Sequence, residues 1–189
     1  TFDNWDCKTG NVAVSGATNV ITLNVDGAVP GRHEIMDSAL HLDDFYGGFP
    51  TVCPYGGRYS VKLGNDETDA EAEGISYTFQ IPPSADTFTM TYYYAVVFED
   101  PGHSTIEQPR VFVKAYDVLT GQVIDCASYN YIATGTIPGF KKSVEDTNIL
   151  YKEWTPSSID FSGLAGRQVR LEFKTADCTL GAHFGYAYL

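Results

Sequence analysis

The sequence contains no uninterrupted apolar run that approaches the roughly 20 residues of a membrane-spanning helix. It is also short of positive charge, with 12 Lys and Arg residues against 24 Asp and Glu residues and a formal net charge of −12. A basic face for nucleic acid or an anionic membrane is therefore not expected. We predict no nucleic-acid partner and no membrane insertion. The acidic balance is typical of a protein that charge repulsion keeps soluble, or of one that recruits divalent cations.

Cysteines are few and widely spaced: Cys7, Cys53, Cys126 and Cys178 form no C-x-x-C pair. Zinc ribbons bring their ligands in close pairs, so this spacing argues against such a site. An even number of cysteines in an acidic chain rich in Gly and Tyr indicates two disulfide bonds made in an oxidising compartment. Of the three connectivities that four cysteines allow, we favour Cys7–Cys53 with Cys126–Cys178, because each bond joins parts of the chain that belong together. Four free buried thiols are the alternative.

Helix-forming blocks of Ala, Leu, Glu and Lys are scarce, whereas the chain has 13 Tyr, 11 Phe and 18 Gly. Val169, Leu171 and Phe173 alternate with charged residues, as in a strand with one buried face. About ten short runs of this kind, separated by turn residues, predict an all-β fold. We expect a two-sheet antiparallel β-sandwich of jelly-roll topology, with long loops and negligible helix. No break in composition divides the chain, so residues 1–189 are predicted to form one domain.

Two segments are predicted to be irregular. Residues 31–60 form a long connection rich in Gly, Pro and aromatic residues, and connections of this length are more often functional than idle. The acidic run between Asn65 and Glu73 has the oxygen density that calcium requires but lacks the register of an EF-hand. We expect this run to be a solvated loop.

Two polar loops each carry an Asp, a Gly and a His. The first contains Asp100, His103 and Glu107, and the second contains Asp177 and His183. If the strands beside each loop pair as hairpins, both loops lie at sheet ends, where sandwich proteins often place binding sites. We therefore predict that these five residues form one polar cluster that binds a ligand.

The chemistry of this cluster leaves two alternatives open. Carboxylates are calcium ligands, so Asp100 and Asp177 are the candidate metal ligands, whereas added imidazoles shift the preference toward zinc or another transition metal. In the other interpretation each Asp accepts hydrogen bonds from loop amides and each His donates to a carbonyl, which braces the loop without any ligand.

Aromatic residues outside the regular strands suggest a carbohydrate ligand, because the C–H face of a sugar stacks on a ring while its hydroxyls bond planar polar groups. Tyr46, Phe49 and Tyr55 lie in the long connection, and loops seldom bury three rings without a use. We add Tyr46, Tyr55 and Trp154 to the candidate ligand-binding residues. Most aromatic residues within strands are expected to belong to the core.

Signatures of catalysis are missing from the sequence, which has no G-x-S-x-G, no H-E-x-x-H and no recognisable Cys/His nucleophile pair. Asp43 and Asp44 are adjacent and would face opposite ways in a strand. Glu99 or Asp100 could supply one carboxylate of a glycosidase pair, but nothing identifies its partner. We therefore predict a protein without enzymatic activity.

Residues 154–173, WTPSSIDFSGLAGRQVRLEF, resemble the W-T…D-L-S-x-L-A-G…V-x-L-x-F passage of extracellular jelly-roll domains, which include MAM-like domains and carbohydrate-binding modules. Residues 56–64, 94–109 and 177–188 resemble a module of large secreted surface proteins of Bacteroidota, of the gliding-motility or type IX secretion kind. The resemblance implies an extracellular, cell-surface domain excised from a larger adhesin-like protein. It also implies calcium as a structural cofactor, since jelly-roll modules often hold one such ion.

These observations predict a non-catalytic extracellular adhesin or carbohydrate-binding module that recognises a glycan or surface polymer. The alternative is a structural spacer or filament subunit. It would act through protein–protein contacts with neighbouring domains or subunits of the same surface protein.

Overall fold

The computed structural model of the chain describes residues 1–124, 129–134 and 138–189. Its strands form two six-stranded antiparallel sheets. Sheet I contains β1 (Trp5–Ser15), β2 (Thr18–Asp26), β5 (Glu71–Gln80), β7 (Arg110–Asp117), β8 (Tyr129–Ile132) and β11 (Gln168–Ala176), in the order β2-β1-β5-β11-β7-β8. Sheet II contains β3 (His33–Asp37), β4 (Tyr59–Leu63), β6 (Thr89–Glu99), β9 (Lys141–Lys142), β10 (Ile149–Asp160) and β12 (Gly185–Tyr188), in the order β3-β4-β12-β6-β10-β9.

The predicted all-β sandwich is confirmed. From β4 to β7 the chain changes sheet at every connection, as in a jelly roll. Within the described ranges, helical structure is confined to one 3-10 turn, Ser38–Leu40. None of the helical residues described forms a segment long and apolar enough to cross a membrane.

The main core lies between the two sheets, and the alternation of β11 shows how the sequence builds it. Val169, Leu171 and Phe173 are buried and face Ile159 and Phe161 at the end of β10. The intervening charged residues point to the opposite side of sheet I. Burying an aliphatic or aromatic side chain of this size contributes roughly 1.5–3 kcal/mol.

A second apolar layer covers the outer face of sheet II. Ala95 and Val97 of β6 lie beside Tyr188 and Tyr186 of β12, and Phe49 from the long connection packs onto them. The connection that we expected to be a ligand-binding loop is therefore partly a lid on this sheet. Phe49 and the half-buried Tyr46 use their rings for this packing, whereas Phe45 and Tyr55 remain exposed.

Two charged segments form strands where the sequence predicted irregular structure. β3 lies inside the connection 31–60, and β5 begins at Glu71, inside the acidic run. The acidic run enters the sheet because Glu73 is buried with partners, its carboxylate lying 2.7 Å from Arg32 Nη2 and accepting a hydrogen bond of 2.7 Å from Thr175 Oγ1. A buried carboxylate is tolerated when it is paired and hydrogen-bonded in this way. Burial nevertheless raises the pKa of Glu73.

The predicted Cys7–Cys53 disulfide is wrong, because among the described cysteines both are free. Cys7 belongs to the core between the sheets, whereas Cys53 packs against the outer layer of sheet II. Sheet II therefore separates the two sulfurs. The other predicted bond involves Cys126, which lies outside the described residues, and its predicted partner Cys178 is also a free thiol.

Candidate functional site

The two polar loops meet at one rim of the sandwich. The amide of Thr179 donates a hydrogen bond of 3.0 Å to the main-chain oxygen of Glu107. The rings of His103 and His183 contact edge to face, with centroids 5.2 Å apart.

Topology explains this meeting, and it differs from the hairpins that we expected. The first loop leaves β6 in sheet II and enters β7 in sheet I, while the second leaves β11 in sheet I and enters β12 in sheet II. Since β7 pairs with β11 and β6 pairs with β12, the two crossings lie side by side.

Two carboxylates of the predicted cluster brace the first loop. One oxygen of Asp100 accepts hydrogen bonds from the amide of Gly102, at 2.9 Å, and from Gln108 Nε2, at 2.8 Å. Glu107 accepts hydrogen bonds from the hydroxyl and the amide of Ser104, and these bonds lower the pKa of Glu107. The hydrogen bonds of both carboxylates therefore stabilise the loop itself, as in the interpretation without a ligand.

Asp177 is 3% exposed and points into the protein. Its two oxygens accept hydrogen bonds from the amides of Gly185, at 3.1 Å, and Glu71, at 3.0 Å. Burial, with a smaller contribution from the negative charge of Glu73, raises the pKa of Asp177 to about 8. A calcium ion could use this carboxylate only through the lone pairs that the amides leave free, and calcium binding by Asp100 and Asp177 stays a prediction.

Cys178 joins this cluster, which sequence reasoning missed. Its Sγ lies 3.4 Å from His103 Nδ1, and one ligand atom each from Cys178, His103 and His183 lies within 4.8 Å of the other two. The thiol is buried, and burial raises its pKa. No sequence signal pairs residues 103 and 178, since 75 positions separate them; only the crossing of the two loops does.

The predicted aromatic residues take three different positions. Tyr55 is 64% exposed and stacks on Tyr93 with ring centroids 5.3 Å apart. Tyr46 is half-buried against Phe184, at 5.4 Å. Trp154 is only 6% exposed, and its indole N–H donates to the main-chain oxygen of Pro50 at 2.7 Å. The ring of Trp154 therefore belongs to the layer that covers sheet II, and ligand binding by Trp154 stays a prediction.

A groove on the outer face of sheet I was not predicted. It has a volume of about 680 Å³ and lies along β11, opposite the buried core residues of that strand. Strand β2 forms one wall, where Leu23 lies over Gly74 so closely that an added Cβ would be 2.5 Å from Leu23 Cδ1. A larger side chain at this position would have to displace the flexible end of Leu23.

Paired charges line the middle of the groove. Glu172 lies 3.1 Å from Arg170 and 2.9 Å from Lys174, and Lys8 lies 2.8 Å from Asp26. Including a smaller hollow beside it, the groove presents four cations and three carboxylates. Carboxylates outnumber cations two to one in the whole chain, so this face is less acidic than the chain as a whole.

An aromatic residue flanks the groove on each side, Trp5 from the edge of the sheet and Tyr116 from the outer face. Trp5 lines the groove, is 38% exposed, and packs on Tyr77 with centroids 5.0 Å apart. On the other side, the guanidinium of Arg170 lies 4.9 Å from the ring centre of Tyr116. The signal for this surface was the alternating charge of residues 170–174, which we interpreted only as a solvated strand face.

No protein family model matches the sequence, and no curated protein matches it. Solved structures of similar shape include TmCBM61 in complex with β-1,4-galactotriose, with a TM-score of 0.40 and 12% identity over 84% of this chain and 81% of that one. A cleaved adhesin domain of Lys-gingipain from Porphyromonas gingivalis gives a TM-score of 0.37 and 11% identity over 85% of this chain and 88% of that one.

The enzymatically active domain of tailspike protein 4 from bacteriophage CBA120 is also similar, with a TM-score of 0.41 and 10% identity. This chain is covered completely in that match but spans only 19% of the tailspike chain. Similar shapes thus occur in carbohydrate-binding modules, adhesin domains and an enzyme domain.

Proposed function

We propose that this protein is a non-catalytic binding module that recognises a glycan or surface polymer in the groove on the outer face of sheet I. The observation that carries the proposal is the contrast between the two outer faces. The outer face of sheet II is filled by the long connection, whereas that of sheet I leaves a groove of about 680 Å³ with Trp5 at its edge.

The lining of the groove suits a carbohydrate. Charged planar groups such as the carboxylate of Glu172 and the guanidinium of Arg170 can bond pairs of hydroxyls, and an exposed ring such as Trp5 can stack on the C–H face of a sugar. An interface of this kind gains orientation from a few polar groups and affinity from ring contacts.

A binding role fits the charges of the groove better than catalysis. Glycosidases need two carboxyl groups that can act as acid, base or nucleophile on either side of a bond. Here Glu172 is held between two cations and Asp26 is paired with Lys8. These ion pairs hold both carboxylates against cations, an arrangement that suits binding groups better than an acid and a base.

Extracellular location, membership of a larger surface protein and a structural calcium ion belong to the same proposal. A melting curve recorded with EDTA and then with excess calcium tests the calcium ion, which should raise Tm if it binds the folded state. An unchanged Tm would contradict a structural role for calcium.

The central experiment is a glycan array combined with pull-downs on insoluble polysaccharides, with and without calcium. We expect Trp5→Ala and Arg170→Ala each to weaken binding by about tenfold or more, which corresponds to about 1.4 kcal/mol, since each removes a large side chain that would contact the ligand. Lys142→Ala, which removes an exposed cation from sheet II, is the matched control and should leave binding unchanged.

Tyr55→Ala decides between the two candidate surfaces. Loss of glycan binding in this variant alone would show that the ligand binds at the exposed Tyr55–Tyr93 stack on the other sheet. Absence of binding to every polysaccharide would contradict the glycan proposal. In that case a concentration-dependent increase in mass, measured by light scattering, would support the spacer or filament alternative.

A further inference from the structure

We propose that Cys178, His103 and His183 form a binding site for one transition-metal ion of the zinc class at the rim where the two loops cross. The three side chains offer one sulfur and two nitrogens, and these atoms lie within 4.8 Å of one another. The site is independent of the groove on sheet I and of the glycan proposal.

The distances are close to those of a coordination shell. Zinc bonds to sulfur at about 2.3 Å and to imidazole nitrogen at about 2.0–2.1 Å, so tetrahedral geometry separates the two ligand atoms by roughly 3.5 Å. Cys178 Sγ and His103 Nδ1 are 3.4 Å apart. A small movement of the half-buried His183 ring would complete a three-ligand site.

The donor set selects the metal. Thiolate and imidazole suit zinc and the neighbouring transition metals, whereas calcium and magnesium require oxygen ligands. The charge around the site also favours a cation, because the carboxylate of Glu107 lies close enough to His103 and Cys178 to interact with both.

Local backbone geometry holds the ligands in place. The amide of Cys178 donates to the main-chain oxygen of His183 at 2.9 Å, and the amide of Gly181 donates to that of Cys178 at 2.9 Å. These bonds close residues 178–183 into a tight loop. The Thr179–Glu107 bond then ties this loop to the one that carries His103.

Three buried polar atoms at this rim lack hydrogen-bond partners in the part of the chain that the structure describes. They are His183 Nδ1, Gln108 Oε1 and Thr179 Oγ1. An unsatisfied buried polar group costs about 1–3 kcal/mol, and several in one place indicate that something else binds there. A metal ion with its bound water would use the nitrogen directly and supply a hydrogen-bond donor to the oxygens.

Metal binding at this site releases a proton. The thiol of Cys178 gives its proton to solvent, the metal–sulfur bond forms with the electron pair that remains, and both imidazoles bind as neutral ligands. The fourth position of a tetrahedral ion is then available to water or to a donor from another molecule. Affinity should therefore fall as the pH is lowered.

The test uses the full chain, kept reduced, stripped of metal with a chelator and dialysed. Calorimetric titration with Zn²⁺ should give one ion per chain, and Tm should rise by roughly 5–10 °C at a metal concentration one hundred times Kd. Substitution with Co²⁺ should give a thiolate-to-cobalt charge-transfer absorption. Titration with Ca²⁺ should produce no charge-transfer absorption.

Cys178→Ser should abolish the charge-transfer absorption and weaken Zn²⁺ binding by well over tenfold, since even residues that only support a ligand contribute 10–100-fold. His103→Gln and His183→Gln should each weaken it similarly, which keeps the proposal testable if the serine variant fails to fold. Cys53→Ser and His41→Gln are matched controls that remove a thiol and an imidazole elsewhere, and both should bind as the unmodified protein does.

The proposal is overturned if Zn²⁺ fails to bind with one-to-one stoichiometry, or if Cys178→Ser binds it unchanged. Cys178 and His103 would then form only a thiol–imidazole hydrogen bond. Glycan binding by the same samples is a separate readout, so failure of one proposal leaves the other standing.

Discussion

Buried polar residues in this protein are stabilised by partners from distant parts of the chain. Asp44 in the long connection is an example, since one of its oxygens accepts hydrogen bonds from the hydroxyls of Tyr186, at 2.7 Å, and Tyr188, at 2.9 Å. Its other oxygen accepts from the amides of Tyr46 and Gly47. These bonds fasten the connection to sheet II, and burial together with the Asp44 charge raises the pKa of both tyrosines.

Tyr186→Phe removes one of these bonds while keeping the ring. We expect the free energy of unfolding to fall by about 1.5–3 kcal/mol, the usual contribution of a hydrogen bond to a charged group, as measured by urea denaturation. Tyr59→Phe changes an exposed tyrosine in the same sheet, and its free energy of unfolding should stay within about 0.5 kcal/mol of that of the unmodified protein. Equal effects in the two variants would show that Asp44 does not depend on the Tyr186 hydroxyl.

His33 is a second buried polar residue, and it should make stability depend on pH. Its Nε2 lies 3.0 Å from the main-chain oxygen of Gly74, and its Nδ1 accepts from the amide of Val29, so a proton on Nδ1 would oppose that donor. Burial is the main cause that lowers the pKa of His33, with a smaller contribution from Arg32.

Because the folded-state pKa lies below the unfolded value of about 6.5, the unfolded chain takes up a proton first as pH falls. Stability is therefore lost below about pH 6.5, by up to about 1.4 kcal/mol per pH unit, until the folded-state pKa is reached. In denaturation curves at pH 7 and pH 5, His33→Gln should lose less stability than the unmodified protein. The exposed His41→Gln variant should retain the full loss, and an identical loss in all three would contradict this account.

At the scale of the strands, alternation of apolar and charged residues was enough to predict β11 and its buried face. It failed at β5, because Glu73 faces the interior and only the distant Arg32 and Thr175 make that position tolerable. The contact between His103 and His183 could be predicted, because it requires only that both loops lie at one rim of the sandwich. The place of Cys178 beside them could not be predicted, because it depends on the register of four strands.

Close approach of backbones at glycines also shapes the strands, and a series of alanine variants should reveal it. A Cβ on Gly10 would lie 1.8 Å from the main-chain oxygen of Thr22 in the paired strand. Gly10→Ala should therefore reduce the free energy of unfolding by about 1–3 kcal/mol or more. The Cβ added in Gly74→Ala would contact only the flexible end of Leu23, so this variant should lose less stability. The added methyl group would also narrow the groove.

Gly56→Ala is the control for this series, since nothing lies within 4 Å of its added Cβ. It should leave stability unchanged or raise it by about 0.4–1 kcal/mol, because alanine restricts the unfolded chain. Chemical denaturation of the three variants gives their free energies of unfolding and so tests this order. A Gly10→Ala protein as stable as Gly56→Ala would mean that β1 and β2 are not packed as described.

At the scale of the whole molecule, the two sheets use their outer faces differently. Sheet II carries Tyr186, Tyr188 and Trp154 under a lid of chain, whereas sheet I exposes a row of paired charges along β11. The sequence supported an aromatic binding loop because it contains rings in an irregular segment. Packing changes that interpretation for Tyr46 and Phe49, which pack on sheet II, whereas Tyr55 stays exposed and its role in binding stays a prediction.

The same packing makes disulfide bonds unnecessary for the stability of the fold. A chain of about 150 residues or more buries roughly 70% of its surface on folding, which is enough for a stable core without crosslinks. Cys7 is part of that core and Cys53 lies on the far side of sheet II.

We therefore expect a reducing agent to leave the Tm of the protein unchanged. The melting curves are recorded in EDTA so that bound metal does not contribute. Peptide mapping without reduction should find Cys7 and Cys53 unlinked. A native disulfide typically contributes 2–5 kcal/mol in a small secreted domain, so a fall in Tm on reduction, absent in Cys7→Ala, would place Cys7 in a crosslink and contradict the separation of the two thiols by sheet II.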